Sequence, residues 1–350
     1  MSATASTHHV PRQRPTRSDP SRRAGLLAAL FVVLGVVVVA SLAIGSKAIP
    51  LDHVWSALIS PTGSEDDTVV RSLRVPRTVL GIAVGLALGI AGAVMQGHTR
   101  NPLADPGLLG VSGGAAFFVV LGVMISGLTS LYGYVWFAFA GAFAASVLVF
   151  LLGSLRRGGP TAVTMALAGL VVSDLLIALT SAIVLRGGDA TLDTYRFWSV
   201  GSLANRDPLI GLHVLPFMVL GLLLAALNAP ALNNLALGED VARGLGQRIR
   251  LARITGLAAV TVLTGAAVSV CGPINFLGLA VPHLMRRFTG PDYRWLLPAS
   301  GLAGAVLLLV ADIIGRVVAR PSELPVGIVL GLVGAPFFVY LVRRSRAVRL

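Results

Sequence analysis

The chain has one cysteine, Cys271, so no disulfide framework can hold it together. It has one lysine, Lys47, and charged residues make up only 12% of its 350 positions. A soluble globular protein carries roughly twice that charged share, so an ordinary solvated surface is excluded. No G-x-x-x-x-G-K-[ST] segment occurs, which removes the usual backbone cradle for ATP phosphates. His8 and His9 stand in a polar tail without the further ligands a metal site needs. No cluster of intramembrane His, Asp or Glu is present, so a membrane enzyme is excluded and no cofactor is expected. Acidic residues are few beside basic ones, giving a net charge of +13. The basic residues sit in a tail and in short turns, a distribution that points away from nucleic acid.

What the chain has instead is apolar length. Hydrophobic residues make up 55% and fall in runs of about 18 or more, enough to cross about 30 Å of hydrocarbon. Spans are expected near 25–45, 78–97, 107–126, 134–153, 162–185, 209–228, 252–271, 275–289, 296–315 and 325–342. The fold class is therefore an all-α membrane protein of about ten transmembrane helices, divisible into two inverted five-helix halves. Residues 1–24 read as a disordered basic cytoplasmic tail, 25–342 as the transmembrane domain, and 343–350 as a basic cytoplasmic C-terminus. Arg100, Arg156, Arg157, Arg286 and Arg287 fall in turns on the same side as both ends. The positive-inside rule then puts both termini in the cytoplasm. Gly81, Gly85 and Gly89 repeat at the spacing that lets helix backbones approach closely, although glycine is also simply common in membrane helices.

Arginine is unexpected at the external ends of spans. Arg71, Arg74 and Arg77 precede the second span and Arg316 ends the ninth. Asp312, four residues before Arg316, can pair with it on one helix face and aim its fork at a partner carboxylate. The arginines can form a docking ring for an acidic soluble protein, or snorkel to lipid headgroups.

The longest internal loop, 229–251, contains A-L-G-E-D-V-A-R-G-L-G, with Leu237, Val241 and Leu245 at helical spacing between Gly238 and Gly246. It can be a short helix plugging a groove on another protein, or an amphipathic helix lying on the bilayer. His283 lies at a cytoplasmic helix end beside Arg286 and Arg287, where a structural hydrogen bond is favoured over a proton relay. Trp198 is explained equally by interfacial anchoring. Asp174 lies mid-span, where a lipid-facing carboxylate costs roughly 2.5–3.5 kcal/mol. It should line a pathway cavity, or be buried and hydrogen-bonded near Ser173. A proton-coupled carrier would use Asp174 and His283, but a relay needs more linked groups than these.

The segments R-S-L-R-V-P-R and Q-G-H-T-R-N-P-L-A-D-P-G-L-L-G (71–110), A-L-G-E-D-V-A-R-G-L-G, G-P-I-N-F-L-G-L-A-V-P-H-L-M-R-R (272–287) and E-L-P-V-G-I-V-L-G-L-V-G-A-P-F-F (323–338) together resemble the FecCD-type permeases of binding-protein-dependent ABC importers. The resemblance implies a pore subunit that is not itself an enzyme. Its implied cargo is ferric siderophore, with cobalamin or haem as alternatives, entering across the bacterial inner membrane. It implies two ATP-binding subunits, an extracytoplasmic binding protein or lipoprotein, and a second permease, identical or homologous, beside membrane lipid. By resemblance Arg74, Arg77 and Arg316 dock the binding protein, and Gly238, Glu239, Ala242, Leu245 and Gly246 couple to the ATPase. The family's cytoplasmic gate falls at about Pro160–Thr164, where this sequence departs from the pattern, so no gate residue is assigned.

Overall fold

The structure, a computed structural model, describes residues 20–127, 131–155 and 162–347. The tail through residue 19, Arg156, Arg157, part of the expected gate turn and residues 348–350 lie outside the described residues. No strand occurs among the described residues. The helices are α1 (Pro20–Ala43), α2 (Leu51–Ile59), a single turn α3 (Glu65–Thr68), α4 (Val75–Thr99), α5 (Val111–Ser126), α6 (Leu131–Ser154) and α7 (Ala162–Arg186). After these come α8 (Gly188–Ser199), α9 (Pro208–Ala236), α10 (Glu239–Gly244), α11 (Ile249–Cys271), α12 (Leu277–Thr289), α13 (Tyr293–Val318) and α14 (Val326–Ala347). Every expected span falls on one of them. Seven described helices are long and apolar enough to cross a membrane, and α5 and α14 are shorter apolar helices.

Local chemistry sets the ends. Asp207 and Asp292 cap α9 and α13 by accepting from the backbone N–H of Leu209 and Arg294. Pro76 stands in the first turn of α4, where its missing N–H costs little. A π-helical turn over Val69–Arg74 joins α3 to α4 just before it.

Two expectations are corrected, and two helices come without one. Helix α1 starts at Pro20, inside the expected tail, and Arg23 reaches Asp292 at 3.6 Å. Residues 229–236 are not loop: α9 runs on through Pro230 because Ala231, Leu232 and Leu235 are buried against the bundle. The short helices α2 and α8 lie outside every expected span, being too short to register as membrane runs.

Helices α4, α11 and α13 form the buried centre. The α4 glycines make that centre possible. A Cβ added at Gly85 would stand 2.5 Å from the Ala305 Cα, and one at Gly89 would stand 2.2 Å from the Ser300 carbonyl oxygen. The obstacles are backbone of α13, which cannot rotate aside. Gly85→Ala is therefore expected to destabilise the protein by about 1–3 kcal/mol, the range for overpacking, measurable as a lowered unfolding midpoint in detergent. An unchanged midpoint would mean that α4 and α13 separate freely.

Candidate functional site

Charged groups gather at both ends of the bundle, and Asp174 lies on its side. At the expected external end, three arginines cap the chain leaving α1. Arg316 donates through Nη1 to the Ser41 carbonyl at 2.9 Å and through Nη2 to Ser41 Oγ at 2.9 Å. Arg74 donates to the carbonyls of Leu42, at 2.6 Å, and Lys47. Arg320 donates to the Gly45 carbonyl at 2.6 Å. A helix C-terminus leaves its last carbonyls unpaired, and these guanidinium groups satisfy those around residues 41–47. Asp312 binds the cluster together: it pairs with Arg316 at 3.2 Å and accepts from Arg77 Nε and Nη2 at 3.0 and 2.8 Å. Arg77 also holds Glu323 at 2.6 Å.

The expected Asp312–Arg316 pairing is present, but the guanidinium it orients is not free for a partner. Arg316 is 2% exposed and Arg74 5%, and both spend their terminal nitrogens inside the chain. Arg77 is partly buried, and its Glu323 partner is the more exposed member of the pair. Arg71, which is not among the docking arginines the resemblance implies, is exposed. Nearby, the hydrogen bond that the exposed His53 imidazole donates to Asp66 holds its pKa above the ordinary value.

The other end is built around α10. Gly238 and Gly246 flank it at φ +103° and +79°, values that L side chains rarely adopt. Ala242 is fully buried against Ala231, Leu235, Ile249 and Ala252, which fixes the helix to α9 and α11. Glu239 collects three arginines: Arg253 of α11, Arg100 beyond α4 at 3.4 Å, and Arg243 at 3.5 Å. Leu237, Val241 and Leu245, four residues apart, are all exposed. The five expected coupling residues are thus brought together in one segment. Two are glycines at positive φ, one is buried against α9 and α11, one gathers arginines and one is part of an outward apolar face. Beneath them, His98, Asn228 and Thr255 tie α4, α9 and α11 through bonds of 2.9 and 2.6 Å.

Asp174 sits at the centre of the exposed face of α7, which runs Val163, Leu167, Leu170, Asp174, Ala178, Ser181. It is not the buried, hydrogen-bonded aspartate that the alternative required. Trp198 is 1% exposed and packed in the core, so interfacial anchoring does not explain it. His283 is half-buried and makes no hydrogen bond among the described residues, so it is not the structural hydrogen-bonder expected.

Sequence reasoning missed Glu323, Arg253 and Arg100 as partners of the residues it chose. Two of these pairs are far apart along the chain, 246 residues for Arg77–Glu323 and 139 for Arg100–Glu239, and leave no local signal.

A model of the FecCD transport family matches residues 33–344. The chain belongs to that family. It is 44% identical over 327 residues to the ferric enterobactin transport system permease protein of Escherichia coli strain K12, covering 92% of this chain and 96% of that protein. It is 37% identical over 332 residues to the hemin transport system permease protein of Yersinia pestis, covering 93% and 97%. A solved structure, described as an inward-facing conformation of a metal-chelate type ABC transporter, superposes with a TM-score of 0.80 at 29% identity. It covers 92% of this chain and 99% of its own. The FecCD family supplies the permease subunits of ABC importers, so this chain is a multi-pass membrane protein and a pore-forming partner.

Proposed function

We propose that the chain is the permease subunit of an ABC importer carrying ferric siderophores inward across the bacterial cell membrane. Both termini are cytoplasmic in this reading, and the two five-helix halves are inverted relative to each other. The observation that carries it is α10. An apolar row of Leu237, Val241 and Leu245 faces outward from a base locked by Ala242 and the Glu239 arginines. Such a row suits a groove on an ATP-binding subunit better than the bilayer surface, because rigid ion pairs to α11 and to Arg100 would carry its movement into the bundle. Two ATP-binding subunits supply hydrolysis, and a second permease, identical or homologous, covers the exposed face of α7. Asp174 then lines the shared pathway, which avoids the cost of a carboxylate in lipid.

An extracytoplasmic binding protein or lipoprotein docks on the cluster of Arg74, Arg77 and Arg316. Arg77 meets the acidic partner, while Arg74 and Arg316 hold the frame. The siderophore follows from the 44% relative, and the hemin permease supports haem as the second reading.

Uptake of labelled ferric siderophores, haem and cobalamin in a deletion strain carrying this chain tests the assignment. Iron uptake should return with siderophore; return with haem or cobalamin alone rejects the cargo and keeps the importer. In the same assay Arg77→Gln should raise the concentration of loaded binding protein needed for half-maximal uptake, most at low salt. Asp174→Ala should alter the rate or cargo preference while expression holds. Indifference to either change removes that residue from the proposal.

A further inference from the structure

The FecCD assignment leaves one polar cavity unused. It lies where the turn Pro106–Leu109, the start of α5, α11 and the segment before α12 meet, and Leu88, halfway along α4, is part of its wall. The chain after α4 has therefore turned back to half the depth of that helix. Four residues with polar side chains line the cavity: Asp105, Ser112, Thr264 and Asn275. Between them they make one hydrogen bond within the described protein, from the Gly107 N–H to Asp105 Oδ1 at 2.8 Å. Thr264 is 3% exposed, and its hydroxyl finds no partner. Asp105 has no ion pair among the described residues.

We propose that this cavity binds one monovalent cation of about sodium's size. The donors are all oxygen: a carboxylate, two hydroxyls and a side-chain amide carbonyl, the set that suits a hard cation. One carboxylate balances one positive charge, whereas Ca²⁺ and Mg²⁺ demand more ligands or more rigid geometry than this set offers. The free volume for a water-sized particle is about 10 Å³, room for about one. Asn275 is exposed at the mouth and leaves a way in. The surrounding architecture is two short helices, α5 and α12, that begin inside the bundle beside unwound backbone. Membrane transporters bind coupling ions at such breaks, where backbone irregularity is sheltered by protein. The proposal is independent of which cargo the permease carries.

The test uses the full chain in nanodiscs, with thermal unfolding followed in sodium chloride and in choline chloride at equal ionic strength. A bound cation raises the midpoint as sodium is added, and the rise saturates. Equilibrium binding of radioactive sodium should approach one ion per chain. Asp105→Asn should abolish both signals. Thr264→Val, which keeps the side chain's shape, should weaken sodium binding several-fold, and it carries the test if Asp105→Asn does not fold. Asp189→Asn, at an exposed residue of α8 that does not line the cavity, should leave both signals intact. Equal midpoints in sodium and choline with no bound sodium would overturn the proposal. So would a midpoint that rises only on acidification, which would indicate a neutral Asp105 beside water.

Discussion

Asp312→Ala is expected to destabilise the folded chain by about 3–5 kcal/mol, the cost of breaking a buried ion pair by removing one partner. Asp312 is 1% exposed and is shared by Arg77 and Arg316. Removing it leaves Arg316 buried with only the Ser41 oxygens, and leaves Arg77 with Glu323 alone. Two positive groups would then lie close together without their common counter-charge. Asp312→Asn keeps the shape and some hydrogen bonding, so its loss should be smaller than that of alanine. Unfolding in mixed micelles measures both. A loss for Asp312→Ala below about 1 kcal/mol, typical of exposed pairs, would mean that water reaches the cluster and that the arginines are more available than their burial indicates. The same geometry shapes docking experiments. Charge reversal at Arg74 or Arg316 would damage the frame, so Arg77 is the informative position.

Val241→Asp should abolish coupling without unfolding the protein. Val241 is 51% exposed in the isolated chain, so an aspartate there is solvated and folding is unaffected. If α10 seats in a groove of the ATP-binding subunit, the same carboxylate is buried without a partner. Losing a central apolar contact of an interface costs about 2–4 kcal/mol, or roughly thirtyfold or more in affinity. The expected result is a complex that no longer co-purifies, or whose ATPase no longer responds to loaded binding protein, with an unchanged unfolding midpoint for the chain alone. Normal stimulation in the variant would return α10 to the membrane surface. Gly246→Ala should act differently. At φ +79° a Cβ introduces about 1–2 kcal/mol of backbone strain, so the subunits should still assemble while the transmitted movement is blunted.

Apolar runs, helix-ending residues and the α10 segment are local properties, and they were legible in the chain. Membrane-length helices follow from hydrophobic length, because a run in hydrocarbon must satisfy its backbone internally. The Gly81–Gly85–Gly89 spacing announced a close helix contact, and α13 meets it. The row of Leu237, Val241 and Leu245 announced an amphipathic turn that is present and outward-facing. Arg316 was expected to aim its fork at a partner carboxylate, and its terminal nitrogens are instead held by Ser41 and Asp312. Nothing near Arg316 in the chain shows that Ser41, 275 residues away, will take both of its terminal nitrogens.

The sequence alone determined the helical membrane class, the placement of most spans, the family and the candidate segments, because period, length and motif are written along the chain. Tertiary structure alone decided which charges are spent and which are available. It placed Arg74 and Arg316 under the end of α1, gave Glu239 its arginines and left Asp174 on an uncovered face. It also brought Asp105 to Thr264 in a shared cavity. Burial and pairing depend on which helices pack together, and contacts such as Arg316–Ser41, Arg77–Glu323 and Arg100–Glu239 join residues more than a hundred positions apart.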